Sequence, residues 1–156
     1  MECRYQNILA AATMTLNRLR NALRKGDTMN LTKNFNKSEF ECKCGCEMPE
    51  EVLSEITKLA GNLQVIRDFI RKPMTLTNAY RCPKHNKEVG GVPNSQHILG
   101  KACDIQVNDM SPKEVFDTIA NLIEHSHISE GGLGLYNTFV HYDIRKTKAR
   151  WDKTSE

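Results

Sequence analysis

The sequence predicts an α+β domain, a small antiparallel sheet packed with helices. Three observations carry this. Two separate stretches repeat apolar residues at three- and four-residue steps, the mark of helices with one buried face. Short alternating or apolar runs follow each of them, as strands do. Helices and strands succeed one another without the strict alternation that builds a parallel sheet.

Residues 29–48 are polar, cysteine-rich and aperiodic, and read as an irregular lead-in. From Pro49 the pattern changes. Val52, Leu53, Ile56, Leu59, Ala60, Leu63, Ile66 and Ile70 line one helical face, Glu50 and Glu51 suit a first turn, and Pro73 ends the helix. Met74–Tyr80 alternates and reads as a strand. Residues 82–100 are loop-like, punctuated by Gly90, Gly91, Pro93 and Gly100. Lys101–Val107 suits a second strand. Ser111-Pro112-Lys113-Glu114 is a capping box with proline at the first helical position, opening a helix to about His125 that is buried through Val115, Phe116, Ile119, Leu122 and Ile123. Gly131–Gly134 reads as a turn into Leu135–Tyr136 and a last strand, Phe139–Ile144. The tail from Lys146 is polar except for Trp151, and there are no internal repeats.

At 156 residues the chain suits one domain with a real core. Its mean hydropathy is −0.54, and no apolar run approaches the roughly 20 residues of a membrane-spanning helix, so a soluble protein with no membrane partner is expected. The net charge of +3 lies entirely in residues 1–28, where Arg4, Arg18, Arg20, Arg24 and Lys25 face only Glu2 and Asp27. The remainder is neutral and has no aromatic-laced basic patch, which argues against nucleic acid as a partner. Residues 1–34 read as an N-terminal extension and 35–156 as the single domain. A weak apolar stretch, residues 8–16, is followed by Arg18 and Arg20 where a cleavage site should lie, so a frayed helix is expected there rather than a signal. Met29, after Arg24-Lys25-Gly26-Asp27-Thr28, is an alternative translation start.

Two short runs carry chemistry. In Ser95-Gln96-His97-Ile98-Leu99-Gly100-Lys101-Ala102-Cys103-Asp104, His97 lies on a loop and Asp104 in a strand, with Gly100 letting the backbone reverse between them. Ala102 shares the strand face of Asp104 and leaves room for an ion, while Cys103 points into the core. In Phe139-Val140-His141-Tyr142-Asp143-Ile144-Arg145, His141 and Asp143 share one strand face. A histidine and a carboxylate on an inner face are costly unless something binds them. By pattern alone, a surface pair or a satisfied core histidine is the better reading, ahead of a metal site.

Together these runs resemble the zinc D-Ala-D-Ala carboxypeptidase family of murein DD- and LD-peptidases, which share the hedgehog/DD-peptidase fold. Upstream, Asn78-Ala79-Tyr80-Arg81-Cys82-Pro83, Asn86 and Val89-Gly90-Gly91 resemble the family's approach to its zinc motif. Phe40-Glu41-Cys42-Lys43-Cys44-Gly45-Cys46 resembles the start of its phage and bacterial subgroup. The resemblance spans about residues 35–151. It implies one catalytic Zn2+ held by His97, Asp104 and His141, with Arg81, Ser95 and Asn86 at the substrate and Arg81 anchoring a carboxylate or carbonyl. Bound zinc polarises a carbonyl and lowers the pKa of water toward roughly 7.

Many relatives place a catalytic carboxylate three residues before the last histidine; here that residue is Thr138. Asp143 is therefore nominated as general base, with orientation of His141 as its other reading and Glu130 in reserve. His125 and His127 suit a helix end, and His85 follows Arg81 in the loop. Cys42, Cys44, Cys46 and Cys82 are a possible second, structural metal site, although Cys-x-Cys-x-Cys departs from the usual ligand spacing; a disulfide or plain thiols are equally open.

The expected function is hydrolysis of a peptide bond in peptidoglycan by a monomer. As a phage endolysin it would act after release from the host cytoplasm; as a bacterial enzyme it would be secreted or periplasmic. The alternative is a non-catalytic module of the same fold that binds zinc and wall peptide or a protein partner. An iron-oxygenase reading of His141-x-Asp143 fails because no histidine follows His141.

Overall fold

The computed structural model describes residues 29–154. Residues 1–28 of the expected extension, with the signal-like stretch, lie outside the described residues; Met29, the alternative start, is the first described residue.

The chain runs through a short 3-10 helix (Lys37–Phe40), α1 (Glu50–Ile70), β1 (Met74–Asn78), α2 (Pro83–Glu88), β2 (Ala102–Val107), α3 (Pro112–Glu124), β3 (Gly132–Leu135), β4 (Val140–Asp143) and β5 (Ala149–Asp152). Both long helices form as their periodicity demands. α1 buries Ile56, Leu59, Ala60, Leu63 and Ile66, and ends on Arg71 in the left-handed region (φ 57°) just before Pro73. α3 opens on the full capping box, Ser111 accepting from the Glu114 N–H and Glu114 accepting in return.

Residues 29–34, expected in the extension, make hydrogen bonds to the body of the domain. Met29 accepts from the Lys37 N–H at 2.8 Å, and Gln64 of α1 accepts from both Thr32 and the Asn34 N–H at 2.9 Å. Residues 29–34 are thus fastened to the domain by hydrogen bonds that sequence periodicity does not register.

The class is α+β as expected, and the described residues form a sheet of five strands in the order β1-β2-β4-β3-β5. All neighbours are antiparallel except β3 and β5, which run parallel. The reason is topological: β2 and β3 already occupy both flanks of β4. The chain leaving β4 therefore reverses and docks at the free edge of β3.

Three elements depart from the sequence reading. α2 forms inside the expected loop, with Cys82 as N-cap and Pro83 in its first turn. β3 occupies the expected glycine turn, and β5 arises from the polar tail. One face of the sheet joins α1 and α3 in a single core through Cys103, Ile105, Leu133, Val140 and Tyr142. Cys103 is fully buried there, as expected.

Candidate metal centre

The register of the sheet aligns one transverse row of residues: Asn78, Asp104, His141, Gly134 and Trp151 are successive cross-strand partners. A second row places Ala102, Asp143, Gly132 and Ala149 beside it. Polar side chains thus collect on one face, and small residues sit between them. A Cβ on Gly134 would lie 2.2 Å from the Trp151 ring, and one on Gly132 would lie 2.2 Å from the Asp143 carboxylate. The glycines read as a turn are what let these larger groups approach the strand.

His97 joins the row from the loop before β2. Gly100 (φ 67°) reverses the chain between His97 and Asp104, and its N–H donates to the His97 carbonyl. Arg81 N–H donates to that same carbonyl at 3.2 Å, and His97 Nδ1 lies 2.7 Å from the Ala79 carbonyl oxygen. The segment after β1 therefore fixes both the backbone and the ring of His97.

Nitrogen roles follow from these partners. The Ala79 carbonyl only accepts, so His97 Nδ1 carries the hydrogen and Nε2 presents a lone pair, 3.4 Å from Asp104 Oδ1. His141 stands between two carboxylates, with Nε2 3.0 Å from Asp143 Oδ2 and Nδ1 3.0 Å from Asp104 Oδ1; in the tautomer with its hydrogen on Nε2, the Nδ1 lone pair faces Asp104. Two imidazole lone pairs and a carboxylate oxygen converge, each an acceptor, all within 4.8 Å of one another. Such a group is stable only with a cation among it, either a proton on a ring or a metal ion. Zinc lies about 2.0 Å from such ligands in a tetrahedral array, which separates them by roughly 3.3 Å. The donor set and its spacing fit that ion. Burial works to raise the Asp104 carboxyl, but the facing His141 and His97 outweigh it and hold it well below the usual carboxylate range. Asn78 donates to its other oxygen, Oδ2, at 3.1 Å.

Asp143 lies behind this group rather than in it. Its side chain is fully buried, and its oxygens accept from His141 Nε2, the Gly132 and Arg145 N–H groups, and the Arg145 guanidinium, whose Nη2 is 2.6 Å away. The two nitrogens of an imidazole point to opposite sides of the ring, so Asp143 and Asp104 stand on opposite sides of His141. This geometry does not suit the general base nominated from strand phase. It suits orientation of His141.

Arg81 is half-buried close to Asp104 and Tyr136; burial draws its pKa below the ordinary value, and its Nε has no protein partner. Ser95 and Asn86, expected at the substrate, are buried and bonded to nearby backbone, Ser95 in the loop before His97 and Asn86 in α2. Ser95 Oγ accepts from the His97 N–H at 3.3 Å, and Asn86 donates to the Val92 carbonyl at 2.9 Å while packing against Gly91. The reserve base, Glu130, is ion-paired to Arg150 at 2.8 Å. Thr138 is exposed, and its carbonyl accepts from Gln106. His125 and His127 stack on each other, exposed at the end of α3, and His85 lies on α2 beside Glu88.

Sequence reading missed Asn78, Tyr136, Arg145 and Trp151. The Trp151 ring lies 5.2 Å from that of His141, donates to the Tyr136 hydroxyl at 3.1 Å and carries the Arg145 guanidinium 5.8 Å above it. A lone tryptophan in a polar tail was the available signal.

No individual curated protein matches the chain. The family model described as Peptidase M15 matches residues 30–143, which contain every member of the His97, Asp104 and His141 group. The chain belongs to the peptidase M15 family.

Proposed function

We propose that this chain is a zinc metallopeptidase that hydrolyses a peptide bond in peptidoglycan stem or cross-link peptides. The observation that carries the reading is the convergence of His97, Asp104 and His141, whose ligand atoms lie within 4.8 Å of one another in a peptidase-family domain. Zinc bound there supplies a Lewis acid that polarises the scissile carbonyl and makes water nucleophilic near neutral pH. The chain's own residues do the rest. Ala79 fixes the tautomer of His97, and Asp143 accepts from His141 Nε2 once an ion occupies Nδ1, so both inward nitrogens serve the ion. Arg81 offers a planar fork to a substrate carboxylate or carbonyl. The lead-in segment and the motif at Phe40–Cys46 favour the phage and bacterial wall-lytic subgroup.

A second reading has one observation in its favour. Thr138 stands where a catalytic carboxylate is expected, and Asp143 faces away from the group. That arrangement suits a module that binds metal and wall peptide without turnover.

A zymogram on peptidoglycan separates the two. The enzyme clears the gel, loses the band with chelator and regains it with zinc. A folded, zinc-loaded chain that clears nothing leaves the binding module. Weighing the products from purified muropeptides then identifies the bond.

A further inference from the structure

We propose that Cys42, Cys44, Cys46 and Cys82 form a second, structural zinc site that fastens the lead-in segment to the segment carrying Arg81. Cys42 and Cys44 Sγ lie 3.2 Å apart, and Cys44 and Cys82 Sγ 3.6 Å apart. Those three sulfurs meet within 4.8 Å, and the Cys46 thiol interacts with both Cys44 and Cys82. All four are free thiols. The separations far exceed a disulfide bond of about 2.05 Å. They approach the roughly 3.8 Å between sulfurs that share a tetrahedral zinc at 2.3 Å.

The unusual Cys-x-Cys-x-Cys spacing has a structural explanation. Gly45 takes φ 79° and its N–H donates to the Cys42 carbonyl at 2.9 Å, a tight turn. An extended chain would send alternate thiols apart along the strand; this turn folds them onto Cys82. Backbone N–H groups already point at the sulfurs, from Cys82 to Cys42 Sγ and from His85 to Cys82 Sγ, both at 3.3 Å. Such donors stabilise thiolates. By contrast Cys103 is buried against a carbonyl, away from the cluster.

The placement gives the site a purpose. Tyr80 N–H donates to the Phe40 carbonyl, Ala79 holds the His97 ring, and Arg81 N–H holds the His97 carbonyl. A metal bridging Cys82 to the Cys42–Cys46 turn would pin this segment from its other end. Each thiol that binds gives its proton to solvent. The inference does not depend on the hydrolytic reading.

Metal content of the full chain, purified under reducing conditions with zinc present, tests it. We expect two zinc ions per chain in the wild type, one in Cys44→Ser/Cys46→Ser, and one in His97→Ala/His141→Ala. Cobalt substitution should give intense thiolate charge-transfer absorption in the wild type and the histidine variant, and none in the cysteine variant. Cys44 and Cys46 are exposed, so their replacement leaves the core intact, and the wild-type cobalt spectrum needs no variant at all. A wild type without thiolate absorption overturns the proposal. So does a zinc content unchanged in the cysteine variant, or a disulfide among the four cysteines in the alkylated native protein. Loss of zinc from the histidine variant alone would leave the hydrolytic centre standing and remove only this site.

Discussion

Asp143 grips His141 from behind: Oδ2 accepts from Nε2 at 3.0 Å, on the opposite side of the ring from the Nδ1 that faces Asp104. A carboxylate so placed fixes the tautomer and raises the basicity of the other nitrogen. Replacements of this kind cost about 10–100-fold in metal affinity. Asp143→Asn is expected to weaken zinc by that factor in a chelator competition. A general base would behave otherwise, leaving affinity at the wild-type value and removing turnover alone.

The three converging acceptors imply the strongest effect. His97→Ala and Asp104→Asn should each remove one zinc ion per chain by elemental analysis, while circular dichroism keeps the α+β signature. The same centre should release its zinc on acidification. Protons compete with the metal for both imidazole lone pairs, so affinity falls as the pH is lowered. Retention of zinc by both variants at neutral pH would remove the group from consideration.

Trp151 is the single tryptophan of the chain, and its ring is 5.2 Å from that of His141. Loading the centre changes the charge beside it. Tryptophan emission should therefore shift on titration of the metal-free protein with zinc, saturating at one equivalent for this centre. His141→Ala should abolish the shift.

Arg81 is suited to recognition by its fork rather than its charge. Arg81→Lys keeps the charge and loses the paired hydrogen bonds. It should raise KM for wall peptide about tenfold or more with zinc content unchanged, the loss expected for roughly 1.4 kcal/mol of binding. A lysine variant with unaltered kinetics would mean that Arg81 does not meet the substrate.

A Cβ on Gly131 would lie 1.9 Å from the Asp143 carbonyl oxygen. That atom is backbone in a central strand and cannot swing aside. Gly131→Ala should destabilise the domain by about 3 kcal/mol, read as a lowered midpoint in thermal unfolding. An alanine at Gly61, where nothing lies within 4 Å, is the control and should be close to neutral or stabilising.

The long helices were legible because apolar periodicity is a local property of the chain. α1 and α3 start and stop at Pro49, Pro73 and the Ser111 capping box. β5 was not legible, because Ala149–Asp152 becomes a strand only when the edge of β3 offers it partners. Nor was β3: Gly131–Gly134 reads as a turn until Trp151 and Asp143 are seen packed over Gly134 and Gly132. α2 had a weak signal in Cys82-Pro83, which the surrounding glycines and prolines masked.

For the site, the sequence by itself determined which residues could bind a cation. It placed His97 and Asp104 around a glycine reversal, and put His141 in strand phase with Asp143. What only tertiary structure decided was which atom of each faces inward. Nδ1 and Nε2 of a histidine are equivalent in a sequence; they become distinct when Ala79 takes one from His97 and Asp143 takes the other from His141. The same packing placed Asp143 against Arg145 and on the far side of His141 from Asp104. Strand phase assigns a face, but only the sheet register and the ion pair with half-buried Arg145 decide where on that face a carboxylate points.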